Sequence, residues 1–416
     1  MSMDNMTKQI PPGYKKTEIG IIPEDWEVKR LGEIFSILKT ASFSKSDLSS
    51  KGDILYIHYG DIHTKWVHFL DLKKEDLPHI EHSKSRNYPL VKEGDLIMVD
   101  ASEDYEGIGK SVEIKNVGNK KVISGLHTLL LRDSQGKFVN GFKGFVTHNR
   151  IVKKQIETLA TGLKVYGISK QNLKDVLIPI PPLPEQRAIA RVLSDIDHLI
   201  ESLDRLIEKK KLIKKGAMQL LLTGKKRLPG FKGEWVRKRL GEVAIIKKGD
   251  LITEKEARRG NVPVIGGGIG PTYYHNKANR KANTITISAS GANAGYVSFH
   301  KHPIFASDCS TIEKSGNYDV RFLYFLLKSM QNTITMLQTG GAQPHVYPEQ
   351  LKQLEIYYPL DMEEQRAIAQ ILSDMDAEIE TLERKKEKYE MIKKGTMELL
   401  LTGKIRLKDY IDEVLG

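Results

Sequence analysis

The 416-residue sequence predicts an α+β protein with two mixed α/β globular domains and two long helices, arranged as an internal duplication. Two repeats predict the duplication. A stretch of 44 residues that begins at Glu185 recurs from Glu364, with the same residue at 29 positions. A shorter motif around Trp26 recurs around Trp235. The segments between these repeats read as short strands with intervening turns, so the repeated parts form a frame around two inserted domains.

Each copy of the 44-residue stretch predicts one long helix, which in the first copy extends from Glu185 to Leu222. Apolar residues recur in steps of three and four between charged residues, which is typical of a helix that packs along another helix. At 1.5 Å per residue the first helix would be roughly 57 Å long. The apolar seam consists of Ile189, Leu193, Ile196, Ile200, Leu203, Ile207, Ile368, Leu372, Met375, Ile379 and Leu382.

The ends of both helices carry local start and stop signals. Pro184 suits the first turn of a helix. Asp361, with Glu364 three residues later, predicts a capping box before the second helix. Thr223-Gly224 and Thr402-Gly403 supply the glycine that commonly ends a helix.

The two apolar seams need a partner, and the residues leave two interpretations open. Each seam packs against its own globular domain, or the two seams pack against each other. Near-identical seams are self-complementary, which favours pairing. A parallel pair would hold the globular domains at the same end, and an antiparallel pair would hold them at opposite ends.

The repeats divide the chain into four parts. These are residues 1–180 for an N-terminal arm and the first globular domain, 181–226 for the central helix, 227–360 for the second globular domain, and 361–416 for the C-terminal helix. Turn residues and strand-forming runs predict strands at Ile54–His58, Trp66–Phe69, Asp95–Val99, Ser111–Ile114, His127–Arg132, Val243–Ile246, Val262–Ile265, Thr284–Ser288 and Tyr296–Phe299. Shorter helices are predicted at Asn149–Leu159 and Val320–Met330.

The composition restricts the class of protein. A formal net charge of +12 is compatible with a nucleic-acid partner but does not establish one. Cys309 is the one cysteine, so an internal disulfide is excluded and a cytoplasmic location is expected. No apolar run approaches the ~18 residues of a membrane span, so no membrane partner is expected.

No motif for catalysis or for metal binding fits the sequence. Gly109-Lys110-Ser111 resembles the end of a phosphate-binding loop, but Asp104 stands where that motif needs glycine. The glycine run Gly266–Gly270 leads into Pro271 rather than into a helix, so a dinucleotide site is not predicted. Five histidines between residues 58 and 82 lack the spacing of zinc ligands. The sequence therefore predicts no catalytic residue, no metal site and no cofactor bound by this chain.

Several loops combine basic, hydroxyl, amide and aromatic side chains, which can contact phosphates and base edges. The candidate DNA contacts are Lys39, Thr40, Ser42, Lys45, Tyr59, Lys247, Lys248, Gly267, Gly268, Tyr273, His275, Asn276, Ser290, Asn293, Gln343 and His345. Surface loops of this composition also occur in proteins that do not bind nucleic acid. The outer faces of the helices carry Arg187, Arg191 and Arg366 as candidate contacts to a partner protein.

The order of these parts resembles the specificity (S) subunit of type I restriction–modification systems. The resemblance rests on Ile21–Trp26 with Arg30–Glu33, on the proline-rich run Ile178–Pro184 before Glu185-Gln186-Arg187, and on Leu220–Gly224. The second half repeats these motifs at Trp235, Arg239–Glu242, Pro359, Glu364-Gln365-Arg366 and Leu399–Gly403. The proline-rich run is replaced before Glu364 by Pro-Leu-Asp-Met-Glu.

The resemblance implies two target-recognition domains, each of which reads one half of a split double-stranded DNA site. It implies that the long helices pair as an antiparallel coiled coil and that the chain is not catalytic. It also implies as partners two methyltransferase (M) subunits, which use S-adenosylmethionine, and restriction (R) subunits, which use ATP and Mg²⁺. Because the two globular domains differ in sequence, the DNA site should be asymmetric.

Two other classes of protein stay open from the residues alone. One is a stand-alone DNA-binding repressor or architectural protein, which co-purification with a methyltransferase would argue against. The other is a fused methyltransferase or nuclease, which methylation by the isolated chain would support.

Overall fold

The computed structural model describes residues 10–81, 86–411 and 413. Their Cα positions form two compact units. The first unit takes the described residues up to Glu201 together with those from Glu387 onward, and the second takes Ser202–Lys386. Both long helices, Leu183–Leu221 and Met362–Leu401, therefore contribute to both units. His82, one of the five clustered histidines, lies outside the described residues.

The first unit is built around a five-stranded sheet and a smaller three-stranded sheet. The large sheet has the spatial order Phe35–Leu38, Thr128–Asp133, Leu96–Val99, Ser111–Lys115 and Phe69–Asp71, and the small one has the order Val122–Ser124, Ile54–Ile57 and His79–Ile80. Two-stranded sheets pair Tyr14–Thr17 with Gly20–Pro23, Glu27–Arg30 with Leu177–Ile180, and Ala101–Ser102 with Tyr166–Gly167. The short helices are Leu31–Ile34, Tyr59–Thr64, Lys143–Val146, Arg150–Leu159 and Lys170–Lys174.

The second unit repeats this topology with fewer strands. Its large sheet has the order Ile246–Lys248, Cys309–Ile312, Thr284–Ser288 and Val297–His300, and its small sheet has the order Phe305–Ala306, Val262–Ile265 and Pro271–His275. Trp235–Arg239 pairs with Glu355–Pro359, as Glu27–Arg30 pairs with Leu177–Ile180 in the first unit. The short helices are Leu240–Val243, Val320–Ser329, Gln331–Thr335 and Pro348–Lys352. The duplicated fold is thus shared by domains whose strand sequences are dissimilar.

The long helices run antiparallel within each unit. In the first unit Lys393 pairs with Asp197 at 2.5 Å, and in the second unit Lys386 pairs with Asp204 at 2.7 Å and Lys210 with Glu378 at 2.6 Å. Residue numbers rise along one helix as they fall along the other, which fixes the direction. The antiparallel pair that the resemblance implied is confirmed.

The apolar seam serves two purposes, so both interpretations of it are partly right. Ile189 and Leu193 pack into the core of the first unit, and Ile368 and Leu372 into that of the second. Farther along the helices, three seam residues are buried although they belong to neither globular core, so the facing helix covers them. These three are Leu203, Ile207 and Ile379.

The start of each long helix is held by a buried glutamate. In the first unit, Arg406 donates to both oxygens of Glu185 at 2.7 Å, and Trp26 Nε1 donates to the same carboxylate at 2.9 Å. In the second unit, Arg227 donates to both oxygens of Glu364. Each arginine follows the end of the opposite long helix, so one ion pair closes each end of the helix pair.

The capping box predicted from Asp361 and Glu364 is therefore only half right. Asp361 does cap the second helix, because its carboxylate accepts from the backbone N–H of Glu363 at 2.9 Å. Glu364 is fully buried and binds Arg227 instead of the helix start. The predicted glycine stops are confirmed, since Gly224 and Gly403 both have φ of 69°.

Two predicted strands are wrong in position. The strand expected at Trp66–Phe69 begins only at Phe69, and the one expected at Val243–Ile246 is a helical turn followed by the strand Ile246–Lys248. In the second case Leu240 and Val243, three residues apart, are the buried side chains of that turn. A spacing of three fits one helical turn as well as it fits an irregular strand, so a segment this short is ambiguous.

Candidate nucleic-acid interface

The two units assemble the same set of loops at the same edge of their sheets. Hydrogen bonds define the correspondence. The N–H of Asp100 donates to His127 O at 3.2 Å in the first unit, and that of Ala289 donates to Asp308 O at 3.1 Å in the second. Likewise Ile168 donates to Asp100 O, and Val346 to Ala289 O, both at 3.0 Å. His127 and Asp308 therefore occupy equivalent positions, directly before the strands Thr128–Asp133 and Cys309–Ile312.

A second pair of bonds aligns the loops that follow the small sheets. Gly125 donates to Ile57 O at 3.0 Å, and Ser307 donates to Ile265 O at 2.8 Å. Tyr59 and Gly267, each two residues farther along, are thus equivalent. In each unit a third loop borders this edge, and an isolated β-bridge joins the two ends of that loop. The bridge pairs Thr161 with Gly167 in the first unit and Thr339 with His345 in the second.

In the first unit this edge forms a cavity of about 500 Å³ lined by polar and aromatic side chains. The Tyr59 ring makes edge-to-face contacts with His127, at a centroid distance of 5.3 Å, and with His63, at 6.1 Å. His127 has φ of 53° and an exposed side chain. A non-glycine residue with positive φ is strained, and such strain is common at functional sites.

The rim of this cavity is apolar and exposed. Val165 lines the cavity and is 55% exposed, and Leu163 beside it is 98% exposed. The rings of Tyr105 and Tyr166 lie against each other, with centroids 3.9 Å apart and planes tilted by 34°. Exposed aromatic and aliphatic side chains at a cleft are typical of a surface that contacts a partner.

In the second unit the same edge is formed by glycine-containing backbone and small polar groups. Ser290 forms a bridge with His345, and the N–H of Gly291 donates to Pro344 O at 3.0 Å. Ser288 Oγ donates to Gly267 O at 3.0 Å. A Cβ at Gly267 would lie 2.7 Å from Ser290 O, so only glycine allows these loops to meet. Where the first unit has the Tyr59 side chain, the second unit has glycine, and the backbone of Ser290 packs against it.

The structure brings part of the candidate DNA contacts together. The described edge contains Tyr59 in the first unit and, in the second, Gly267, Gly268, Ser290, Asn293, Gln343 and His345. Lys45 lines a neighbouring cavity that shares Gly60 and Thr64 with the first. Lys39 directly follows the strand Phe35–Leu38, Lys248 is the last residue of the equivalent strand Ile246–Lys248, and both are exposed.

Other candidates lie apart from this edge or have structural partners. Thr40 donates to Thr128 O at 2.9 Å, Tyr273 donates to Ile252 O, and Lys247 pairs with Glu313 at 3.4 Å. His275 is buried, and its Nδ1 accepts from the N–H of Arg258 at 2.9 Å, which makes it a loop-stabilising residue. Ser42 and Asn276 are exposed.

Sequence reasoning missed the central residues of both sites, His127 and Asp308. Neither lies in a glycine-rich or lysine-rich loop, and the equivalence between them becomes visible only through the backbone hydrogen bonds. The positive φ of His127 is likewise invisible in the sequence.

The described residues contain no cluster of three or more histidine, cysteine or acidic side chains that could hold a metal ion. Among those residues, no helix combines the length and the apolar character that crossing a bilayer requires. Cys309 is buried, and burial raises the pKa of its thiol to about 12, so it is not a nucleophile.

Comparison with known proteins agrees with this architecture. The family described as "Type I restriction modification DNA specificity domain" matches residues 23–211 and 232–391, one match for each half. The putative type I restriction enzyme MjaX specificity subunit of Methanocaldococcus jannaschii is 29% identical over 95% of this chain and 97% of its own length. The MjaVIII specificity subunit of the same organism is 26% identical over 93% and 95%.

A solved structure has the same fold. The crystal structure of the type I restriction–modification S subunit from M. genitalium aligns with a TM-score of 0.59 over 90% of this chain and 96% of that one, at 18% identity. The match of the family to both halves confirms the resemblance found in the motifs. The chain belongs to the DNA specificity subunits of type I restriction–modification systems, as their non-catalytic recognition component.

Proposed function

We propose that each unit reads one half of a split, asymmetric DNA sequence through the loop edge that holds Tyr59 and His127 in the first unit and Gly267 and Asp308 in the second. The observation that carries this proposal is that one topological edge is built twice with different side chains. A duplicated frame suits the twofold geometry of a DNA duplex. Different side chains at equivalent positions contact different base edges, so the two half-sites should differ.

Exposed basic residues near these edges supply contacts to phosphates. Lys39 and Lys248 stand at equivalent positions in the two units, and Lys45 is exposed beside the first cavity. Phosphate contacts hold a protein in register on the duplex, and base contacts specify the sequence. The chain as a whole has a formal net charge of +12, which favours association with DNA at low ionic strength.

The proposal includes a scaffolding role for the helix pair. Arg187, Arg191 and Arg366 are exposed near the starts of the long helices. We assign them to contacts with two methyltransferase (M) subunits, and the restriction (R) subunits complete the complex. Those subunits would use S-adenosylmethionine, ATP and Mg²⁺, and this chain would bind none of them. The complex would act in the cytoplasm, where it meets the DNA.

Exchange of one recognition domain tests the reading of half-sites. Residues 26–180 are replaced by the equivalent domain of another specificity subunit, and methylated adenines are mapped in genomic DNA. One half of the methylated sequence should change while the other half stays the same. A change in both halves would contradict modular reading, and an unchanged sequence would contradict recognition by this domain.

A charge reversal tests the docking role. Arg187→Glu combined with Arg366→Glu should reduce co-purification of the methyltransferase subunit at least tenfold, because two exposed cations are lost from the docking face. Lys301→Glu, an exposed change in the second unit away from the helices, serves as the control. Equal co-purification by both variants would show that the helix starts are not the docking face.

A further inference from the structure

The side chain of Asp308 stands at the centre of the second loop edge with little to compensate its charge. Its Oδ2 accepts from the hydroxyl of Ser290. In the part of the chain that the structure describes, no lysine or arginine forms an ion pair with it. Carboxylates that are buried in folded proteins are usually paired with a cation or with several N–H donors, whereas the half-buried Asp308 has the Ser290 hydroxyl as a donor. Asp308 therefore retains capacity to accept hydrogen bonds from outside the chain.

Asp308 is half-buried, and the loop position beside it carries no side chain. In the first unit the equivalent residue, His127, is covered on one side by the Tyr59 ring and approaches Asp100 with Nδ1 and Oδ1 3.4 Å apart. In the second unit the residue equivalent to Tyr59 is Gly267. A Cβ there would lie 2.7 Å from Ser290 O and 3.5 Å from Asp308 Oδ2, so glycine lets the Ser290 loop pack here and places no side chain of its own against this oxygen.

A carboxylate at a DNA-contacting edge is repelled by phosphates, so it weakens binding unless bases donate to it. In the major groove the donors are the exocyclic amino groups, N4 of cytosine and N6 of adenine. Guanine and thymine present acceptors at the corresponding positions, which a carboxylate repels. A carboxylate in this place discriminates between bases.

We propose that Asp308 is a specificity-determining residue that accepts a hydrogen bond from the exocyclic amino group of one cytosine or adenine in the half-site of the second unit. His127 holds the equivalent position in the first unit and determines one base of the other half-site. This inference rests on the proposed function, because it assigns residues within the same two edges.

The test maps methylated adenines in cells whose own gene for this chain carries Asp308→Asn. Asparagine keeps the shape and an acceptor for Ser290 but loses the negative charge and gains a donor. Discrimination at one base pair of the second half-site should fall about tenfold or more, as expected for one base contact. The base that the wild-type chain requires at that position shows whether Asp308 accepts from cytosine or from adenine. The first half-site should not change.

Two further variants make the result specific. His127→Gln should alter one base pair of the first half-site and leave the second intact. Glu355→Gln, which removes the same charge from an exposed strand position of the second unit, should leave both half-sites intact. An unchanged second half-site in Asp308→Asn, or a required guanine or thymine at every specified position of it, would overturn the proposal.

Loss of all methylation by Asp308→Asn is resolved by a second measurement. If the purified variant melts at the wild-type temperature, complete loss overturns the assignment, because the residue would then be needed for more than one base. If the variant is unfolded, methylated adenines are mapped instead for Ser290→Ala. This substitution should lower the discrimination at the same base pair. Deletion of the gene tests the proposed function separately, since an unchanged methylation pattern in the deletion strain would refute that function itself.

Discussion

Glu185 shows how one residue organises an end of the helix pair. Its carboxylate is 1% exposed and receives hydrogen bonds from Arg406 and Trp26, residues that are far from it in the sequence. Gln186 next to it accepts from the N–H of Val139 and donates to Pro181 O, which ties the helix start to the globular core. The sequence marks Glu-Gln-Arg as a repeated motif, but the partners that explain it become visible only in the folded chain.

Glu185→Gln should lower the free energy of unfolding by about 1.5–3 kcal/mol, because the guanidinium of Arg406 loses its buried carboxylate partner and keeps only the more exposed Asp25. Urea unfolding of the purified chain measures the change. Glu208→Gln, which removes a carboxylate with an exposed side chain from an ion pair with Lys211, should change stability by less than about 0.5 kcal/mol. Equal effects of the two substitutions would show that the buried pair adds nothing.

His148 should make the first unit sensitive to acid. Its ring lies 4.3 Å from that of His68, and burial lowers the pKa of His148 to about 4 and the pKa of His68 well below its usual value. Above a pH of about 6.5 both folded and unfolded chains hold neutral histidine. As the pH falls from there towards 4, the unfolded chain takes up the proton and the folded chain does not, so stability is lost.

Between pH 7 and pH 5 this difference should cost roughly 2 kcal/mol for His148 alone. Thermal melting across that range measures it, and His148→Gln should remove the part of the loss that is due to His148 and leave the part that is due to His68. His302→Gln, at an exposed position of the second unit, is the matched control and should leave the pH dependence as it is. If the stability of His148→Gln fell with pH as steeply as that of the wild-type chain, His148 would not be a source of the acid sensitivity.

At the scale of elements, the long helices were predictable because their apolar period and end signals are local. The helix expected at Glu185–Leu222 occupies Leu183–Leu221. The strands at Val262–Ile265 and Thr284–Ser288 also agree with their predicted bounds. The mistake at Val243–Ile246 arose in a segment of four residues, which is too short to show whether its apolar residues follow the period of a helix or of a strand.

Leu203→Ala should lower the free energy of unfolding by about 2–5 kcal/mol, because Leu203 is 5% exposed on the seam between the helices. Leu212→Ala makes the same chemical change on the same helix at a position that is 67% exposed, and it should cost less than about 1 kcal/mol. Chemical unfolding of both variants gives the comparison. Similar losses at both positions would mean that the seam is not a packed interface.

At the scale of the whole molecule, both long helices contribute to both units, so their length should set the spacing of the two half-sites. The antiparallel direction and the repeated frame give each unit the same set of parts. The two loop edges differ in chemistry while the strand order that positions them is the same.

Duplication of one heptad in each helix, beside the facing residues Asp204 and Lys386, tests this expectation. Seven residues add roughly 10.5 Å at 1.5 Å per residue, which corresponds to about three base pairs at 3.4 Å each. Mapping of methylated adenines should show the same two half-sites with a longer unspecified spacer. A heptad added to one helix alone should instead lower the melting temperature, and an unchanged spacer in the double insertion would contradict the role of the helices.

The sequence by itself determined the duplication, the two long helices and the apolar seam, because identical residues and a regular period are visible without any knowledge of distant contacts. Tertiary structure decided which seam residues pack against the facing helix and which pack into the globular cores. It also decided which arginine pairs with Glu185. It also brought His127 and Asp308 to the same place in two domains of dissimilar sequence. The physical reason is that a strand order and its backbone hydrogen bonds can be kept by many sequences, so the equivalence of two loops is carried by the fold.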